Sequence, residues 1–311
     1  MRSTTRVVLI GQAAFGEQVL DGLLARGHAV AAVYCRPDAP GAKPDPLKVR
    51  ALGLGIPVLQ HPTLNGREVA REFAAHGADL GVLAYVTQIV PATVFDAPRY
   101  GSICFHPSLL PRYRGGSAIP WQIIRGEERT GVTVFWVDAG IDTGPILLQK
   151  EATILPDDTA ATLYYNTLFK LGVEAMLEAV DRVAAGTAPR RMQDESRATY
   201  DPLCGDAHAR VDWCRPVAAL YNLIRGCDPH PGAFIERAGE KLRFYDARLA
   251  DGRGVPGTIL AIGADGITVA AADGAIRIAR LRAGGHKIPA SEAAGALKLL
   301  PGDAFDADPH D

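Results

Sequence analysis

What the sequence has little of narrows it first. Its 311 residues hold five cysteines, Cys35, Cys104, Cys204, Cys214 and Cys227, an odd number with no Cys-x-x-Cys pair. Neither a disulfide framework nor zinc-ligand spacing is expected, and no metal is called for. Neither sign of charge dominates: 33 Lys+Arg stand against 35 Asp+Glu, a net of −2. From Gly205 onward 13 basic residues meet 14 acidic ones, a net of −1. No general attraction to nucleic acid or to an anionic membrane surface is therefore built in. No apolar run approaches the roughly 20 residues of a membrane span, and Val7-Val8-Leu9-Ile10 is too short for a signal peptide. A cytoplasmic, reduced protein with no membrane partner is expected. A Gly-x-Ser-x-Gly nucleophile turn is also missing.

What is present is alternation. Short apolar runs at 6–10, 28–35, 56–59, 79–85 and 102–105 are separated by helical patterns and by a Pro/Gly/Asp loop at 36–46. Near-continuous apolar strands between helices predict a parallel sheet covered on both faces. Strand-like runs at 131–138 and 145–153 flank the turn Ala139-Gly-Ile-Asp-Thr-Gly144. Asp157 or Asp158 is placed to cap a long helix whose apolar stripe runs through Tyr164, Leu168, Leu171, Ala175, Ala179 and Val183. The texture changes after Gly186. Residues 187–209, with Pro189, Pro202 and Gly205, read as a linker between a domain at 1–186 and another at 210–311. The second predicts one helix at 216–225 and strands at 241–249, 257–262, 266–271 and 275–281, a small β-barrel or sandwich. Residues 303–311 read as a frayed tail.

Two places carry chemistry. Gly11-Gln-Ala-Ala-Phe-Gly16 follows the first strand but lacks the middle glycine of a dinucleotide fingerprint and the Lys-Ser/Thr of a P-loop, so it reads as a strand-to-helix turn. His106 directly follows a buried strand, at the carboxyl end where open parallel sheets place ligands. Asp142 lies in a Gly-flanked turn that also follows a strand, so the two side chains are candidates for one crevice. A His and a carboxylate in reach of each other form a proton-transfer pair. Such a pair suits attack by water or an external amine on a carbonyl, without an obligatory covalent step. Cys104, inside its apolar strand, is not expected to act as nucleophile. Arg112 and Arg114 either contact a ligand or belong to a solvated loop. Trp121, Trp136, Tyr164, Leu168 and Leu171 are expected in the core, and His208, His230 and His286 suggest no metal geometry.

His106-Pro-Ser-Leu-Leu-Pro-Arg-Tyr-Arg-Gly-Gly116 followed by Asp138-Ala-Gly-Ile-Asp-Thr-Gly144 resembles the signature of the 10-formyltetrahydrofolate-dependent formyltransferases. Ile224-Arg-Gly-Cys-Asp-Pro-His-Pro-Gly-Ala233 resembles the motif that opens that family's C-terminal domain. Ile10-Gly-Gln-Ala-Ala-Phe-Gly16, Pro44-Asp-Pro-Leu47, Asp96-Ala-Pro-Arg99, Ile119-Pro-Trp121, Phe135-Trp-Val-Asp138 and Leu147-Leu-Gln-Lys-Glu151 look like one branch, the N-terminal hydrolase domain of 10-formyltetrahydrofolate dehydrogenase. The chain is also similar to the methionyl-tRNA formyltransferase branch.

The resemblance implies an α/β fold: a Rossmann-like formyltransferase domain with a parallel-rich sheet, plus a small OB-like β-barrel C-terminal domain. It implies 10-formyltetrahydrofolate, or tetrahydrofolate, as co-substrate and no metal. His106 would be the acid/base and Asp142 its partner. Val86, Gln88, Ile89 and Val90, in the loop Val86-Thr-Gln-Ile-Val-Pro91, would embrace the pterin, with Asp138 and Asp142 on the folate side. Ser108, Leu110, Pro111, Arg112 and Arg114 would shape the pocket loop, which in the family carries a cis-proline. Cys104 stands where most of the family has Asn, and a thiol is a weak donor. That departure points to water as acceptor before an amine. Methionyl-tRNA, a small amine or a nucleotide-sugar amine, and a non-catalytic folate-binding protein are the alternatives, with tRNA disfavoured by the charge balance. On that resemblance, the carrier and aldehyde dehydrogenase domains of the complete dehydrogenase are not expected within these 311 residues.

Overall fold

The structure, a computed structural model, describes residues 4–305. Its two compact units interleave along the chain. One takes the chain up to Gly116, then Thr130–Ala152 and Asn166–Asp201; the other takes Ser117–Arg129, Thr153–Tyr165 and the chain from Pro202 onward. The stretch 187–201, read as linker, belongs with the first unit.

The first unit is built on seven strands: β1 (Arg6–Gly11), β2 (Ala29–Tyr34), β3 (Val58–Leu59), β4 (Leu80–Ala84), β5 (Ser102–His106), β6 (Arg129–Trp136) and β7 (Ile146–Thr153). Their order is β3-β2-β1-β4-β5-β6-β7. Pairing is parallel from β3 through β5, and β5 meets β6 antiparallel. The central strands are buried at almost every position, as helices on both faces require. The helix Ala13–Ala25 turns Phe15, Val19, Leu20 and Leu23 inward. Phe15 packs tilted against Phe105 of β5 at 4.5 Å and meets Phe169 edge-on at 5.6 Å. The helix Phe169–Ala184 packs here because residue 172 is glycine: a Cβ there would fall 2.4 Å from the Phe105 ring. Strand order reverses between β2 and β4 on either side of β1, which opens a crevice at the carboxyl ends of those strands.

The second unit holds six antiparallel strands, β8 (Ala233–Arg237), β9 (Glu240–Ala250), β10 (Ile259–Gly263), β11 (Gly266–Ala270), β12 (Ala275–Ala283) and β13 (Ile288–Pro289). They run in the order β10-β11-β12-β9-β8, with β13 on β12. The helix Val217–Gly226 contributes Leu220, Leu223 and Ile224 to one apolar core with Phe244, Ile276, Ile278 and Leu281.

Several sequence expectations need correction. Thr159, not Asp157 or Asp158, caps the helix at 160: its hydroxyl accepts from Thr162 N at 3.1 Å, while Asp158 instead accepts from Leu155 N at 2.8 Å. That helix is not continuous either, since Ala160–Leu163 passes through one π-turn, Tyr164–Leu168, before Phe169–Ala184 begins. The inserted residue rotates the apolar stripe, so Leu168 is buried but Tyr164 and Leu171 are only half-buried. β8 lies outside the expected strands, since it directly follows Pro229, Pro231 and Gly232, all signals of a loop. The expected tail is ordered over 303–305: Phe305 is fully buried and its N–H donates to Gly257 O at 2.8 Å. The rest of that stretch, 306–311, lies outside the described residues. Trp136 is buried as expected, whereas Trp121 is half-buried and meets the His208 ring edge-on at 5.2 Å.

Candidate active site

The carboxyl end of β5 brings the two singled-out residues together. His106 is the last residue of the strand, in register with Thr133 of β6. Asp142 sits in the turn that leads to β7, with a left-handed backbone at φ +57°. His106 Nδ1 and Asp142 Oδ2 are 3.4 Å apart, with both side chains largely withdrawn from solvent. The other ring nitrogen, Nε2, lies 2.7 Å from the Tyr113 carbonyl oxygen. A carbonyl only accepts, so Nε2 carries a hydrogen. Nδ1 is thus the ring nitrogen left to exchange a proton, and it faces the carboxylate. Asp142 Oδ2 also accepts from Gly115 N at 2.8 Å.

The loop after His106 is pinned from below. Thr133 Oγ1 donates to Ser108 O at 2.6 Å and accepts from Leu110 N at 3.1 Å, while Gln149 Nε2 donates to Leu110 O at 2.9 Å. Ser108, fully buried, closes the turn by donating to Arg112 O at 2.7 Å. The Leu110–Pro111 bond is cis, as the resemblance implied. The two arginines part company. Arg112 is exposed, its guanidinium 5.2 Å from the Tyr113 ring centroid. Arg114 is buried. Its guanidinium holds Glu195 at 2.6 and 2.9 Å and Gln193 Oε1 at 2.8 Å.

Cys104, two residues before His106, lies on the same face of β5. It packs against Leu110, Phe135 and Ile146. Burial, and next the nearby charge of Asp142, push its ionisation far above the ordinary thiol range. It is a neutral thiol, a poor nucleophile and a weak donor. Asp138 braces its own turn by accepting from Thr143 Oγ1 at 2.6 Å and Gly140 N at 3.1 Å.

The loop expected around a pterin borders the switch-point crevice. A cavity there is lined by Ile10, Gly11, Gln12, Tyr85, Val86 and Gln88, among others. Ile89 is 73% exposed and Val90 half-buried beyond it, so Val86 and Gln88 enter the cavity wall and Ile89 does not. On this crevice's floor the first strand-to-helix turn is already occupied. Ala13 N donates to both Asp45 carboxylate oxygens, at 2.8 and 3.0 Å. A dinucleotide's pyrophosphate would meet a carboxylate in the place where it needs bare N–H groups. A second cavity, lined by Arg114, Ile141, Thr143, Ala198, Thr199 and Tyr200, opens beside the neighbours of Asp142. Among the described residues, no group of three or more His, Cys, Asp or Glu is placed to hold a metal ion, and no helix is long and apolar enough to cross a membrane.

Sequence reasoning missed Tyr113, Thr133, Gln149 and Gln193. Each acts through a carbonyl, a hydroxyl or an amide that no motif marks, and Gln193 lay in the stretch read as linker.

The chain matches the family model described as formyl transferase over residues 5–180, and that described as formyl transferase, C-terminal domain, over residues 205–296. It is 46% identical over 249 residues to the cytosolic 10-formyltetrahydrofolate dehydrogenase of Mus musculus, covering 78% of this chain and 28% of that protein. The chain thus spans less than a third of the length of the dehydrogenases it matches. It is 40% identical over 285 residues to the methionyl-tRNA formyltransferase of Ruegeria pomeroyi, covering 90% of this chain and 93% of that protein. The solved structure of HypX from Aquifex aeolicus in complex with tetrahydrofolic acid has the same fold: its TM-score is 0.71 at 22% identity, over 97% of this chain and 49% of that one.

Proposed function

Since the chain belongs to the formyl transferase family, we propose that it hydrolyses 10-formyltetrahydrofolate, passing the formyl group to water through His106 and Asp142. The observation that carries this reading is the pair itself: Nδ1 faces Asp142 Oδ2 at 3.4 Å while Nε2 is committed to Tyr113 O. Water attacks the formyl carbon, and its proton passes to the Asp142 carboxylate, the base that remains when His106 is charged. The C–N10 bond then breaks, N10 is protonated, and formate and tetrahydrofolate leave. His106 in its charged form donates from Nδ1 to the developing oxyanion, the duty for which a neutral Cys104 thiol is poorly suited. The loop at 86–91 takes the pterin, and the loop of Ser108, Leu110 and Pro111 sets the position of His106 beside it. With Asp45 on the first turn, a nicotinamide cofactor has no pyrophosphate seat.

A second reading, transfer to methionyl-tRNA, has one structural observation in its favour. Across β9 and β12, Arg248 faces Arg277 and Arg243 faces Arg282. Like charges set opposite each other cost stability unless an anion offsets them. Asp206 already offsets Arg243, at 2.8 and 2.9 Å, and the chain from Gly205 onward sums to −1. Water therefore ranks first. The test incubates the protein with 10-formyltetrahydrofolate alone, then with methionyl-tRNA, small amines and nucleotide-sugar amines. Formate release without any acceptor is expected. Consumption only when methionyl-tRNA is present would install the second reading, and binding without consumption would leave a folate-binding protein.

A further inference from the structure

We propose that Gln193 is the positioning residue of the His106–Asp142 pair, a single amide that sets the distance between the two loops carrying the proton-transfer groups. The inference rests on the hydrolytic reading above. Gln193 is buried, and every hydrogen-bonding group of its side chain is used. Nε2 donates twice to the Asp142 turn, to Asp142 O at 2.8 Å and to Gly144 O at 2.8 Å. Oε1 accepts from Arg114 Nε at 3.2 Å and from its terminal nitrogen at 2.8 Å. The residues on either side of Arg114 touch the pair directly: Tyr113 O holds His106 Nε2 at 2.7 Å, and Gly115 N holds Asp142 Oδ2 at 2.8 Å. One side chain therefore grips the histidine's loop through its acceptor and the aspartate's loop through its donors.

The turn needs such a grip. Tyr113, beside Arg114, holds a left-handed backbone at φ +62°, which a bulky residue keeps only when its surroundings impose it, and Asp142 shares that region at φ +57°. The far end of the Asp142 turn is already fixed, because Gly144 lies so close to β6 that a Cβ would sit 1.7 Å from Trp136 O. At the Asp142 end, the backbone carbonyl is held by Gln193 and the carboxylate by Gly115 N. A proton moves usefully across the 3.4 Å gap only if it shortens, and a displacement of about 1 Å the other way removes hydrogen-bond contact. Gln193 touches no reacting atom, so it acts through Asp142 and not on the formyl group.

The test compares Gln193→Met, which removes every bond, with Gln193→Glu, which keeps an acceptor for Arg114 but offers the turn no donor. Steady-state turnover of 10-formyltetrahydrofolate is measured without acceptor, together with the pH titration of the His106 ring by NMR, using Asp142→Asn as reference. Both variants are expected to lose about 10- to 100-fold in kcat, the range for misplaced reacting groups, with KM moving by less than about threefold. The His106 titration should shift toward that of Asp142→Asn. A Gln193→Glu enzyme with wild-type kcat would overturn the proposal, since anchoring Arg114 would then suffice. So would a fall in kcat with the His106 titration unchanged, which marks a merely structural role. If the wild-type protein consumes no formyl-folate, the hydrolytic reading fails, yet the His106 titration still decides whether Gln193 sets the pair.

Discussion

Around the end of β5, the first unit buries His106, Ser108, Arg114, Thr133 and Gln193 and satisfies them with one another or with backbone carbonyls. The inner face of the antiparallel sheet in the second unit is built differently. Trp213, Phe244 and Phe305 pack as a cluster with centroids 5.3–6.1 Å apart, among Leu242, Ile276, Ile278 and Leu281. Its ion pairs, Asp206 with Arg243 and Lys241 and Asp228 with Lys287, lie outside that apolar cluster. A buried polar network gives geometry at a cost in desolvation, whereas apolar packing gives stability without fixing any reacting atom. The contrast supports the site proposed at the carboxyl end of β5 and makes the second sheet's interior a matter of folding.

The largest test of this contrast is removal of the pair. His106→Ala and Asp142→Asn should each lower formyl-folate turnover by about 10²- to 10⁴-fold while the urea midpoint stays near wild type. Asn is chosen at 142 because it tolerates the left-handed backbone there. Near-normal turnover by either variant would break the proposed mechanism. The converse probe is Phe244→Ala in the second unit, expected to cost about 3–5 kcal/mol in urea denaturation by leaving a cavity beside Trp213 and Phe305. A loss below about 1 kcal/mol would mean that this cluster is not the stabilising centre assigned to it.

Cys104→Asn sharpens the chemistry of the first unit. Restoring a neutral donor two residues before His106 should raise transfer to an amine acceptor by about 10- to 100-fold, up to what one oxyanion donor contributes. An unchanged rate with amines would show that the donor at this position does not choose the acceptor. The smallest effect is expected at the rim of the second unit. Arg243 first, then Lys241, hold the Asp206 carboxyl well below the usual carboxylate range. A depressed folded-state pKa adds stability above the unfolded value of about 3.9 and loses it as pH falls through the folded value. Asp206 is partly exposed, so Asp206→Asn should cost about 1 kcal/mol at neutral pH. The difference from wild type should shrink once the medium is more acidic than an ordinary carboxylate, and a difference that persists at low pH would assign it to packing.

The same contrast explains what was legible beforehand. Central parallel strands are continuous apolar runs, and β1, β4 and β5 could be read off as such. Short-range rules failed where a long-range contact decided the outcome: at β8, whose prolines signal a loop, at the π-turn of 164–168, and at Phe305, whose place in the second core depends on Gly257 and Trp213. In the site, His106 and Asp142 announced themselves by residue type and by their positions after strands. Arg114 did not, because an arginine in a Gly-rich loop reads the same whether it meets solvent, a ligand or Glu195.

By itself, the order of residues determined the alternation that makes the first sheet, the odd count of cysteines, the even charge and the two motifs bearing His106 and Asp142. These are local matters of side-chain pattern and chemistry, carried by neighbours in the chain. Only the tertiary structure decided that Nδ1 of His106 faces Asp142, that Asp45 fills the first turn, and that Gln193, 87 positions after His106 and 51 after Asp142, joins the loops that hold them. The reason is physical: a hydrogen bond is set by distances of about 3 Å in space, and no spacing along the chain encodes which distant amide will supply it.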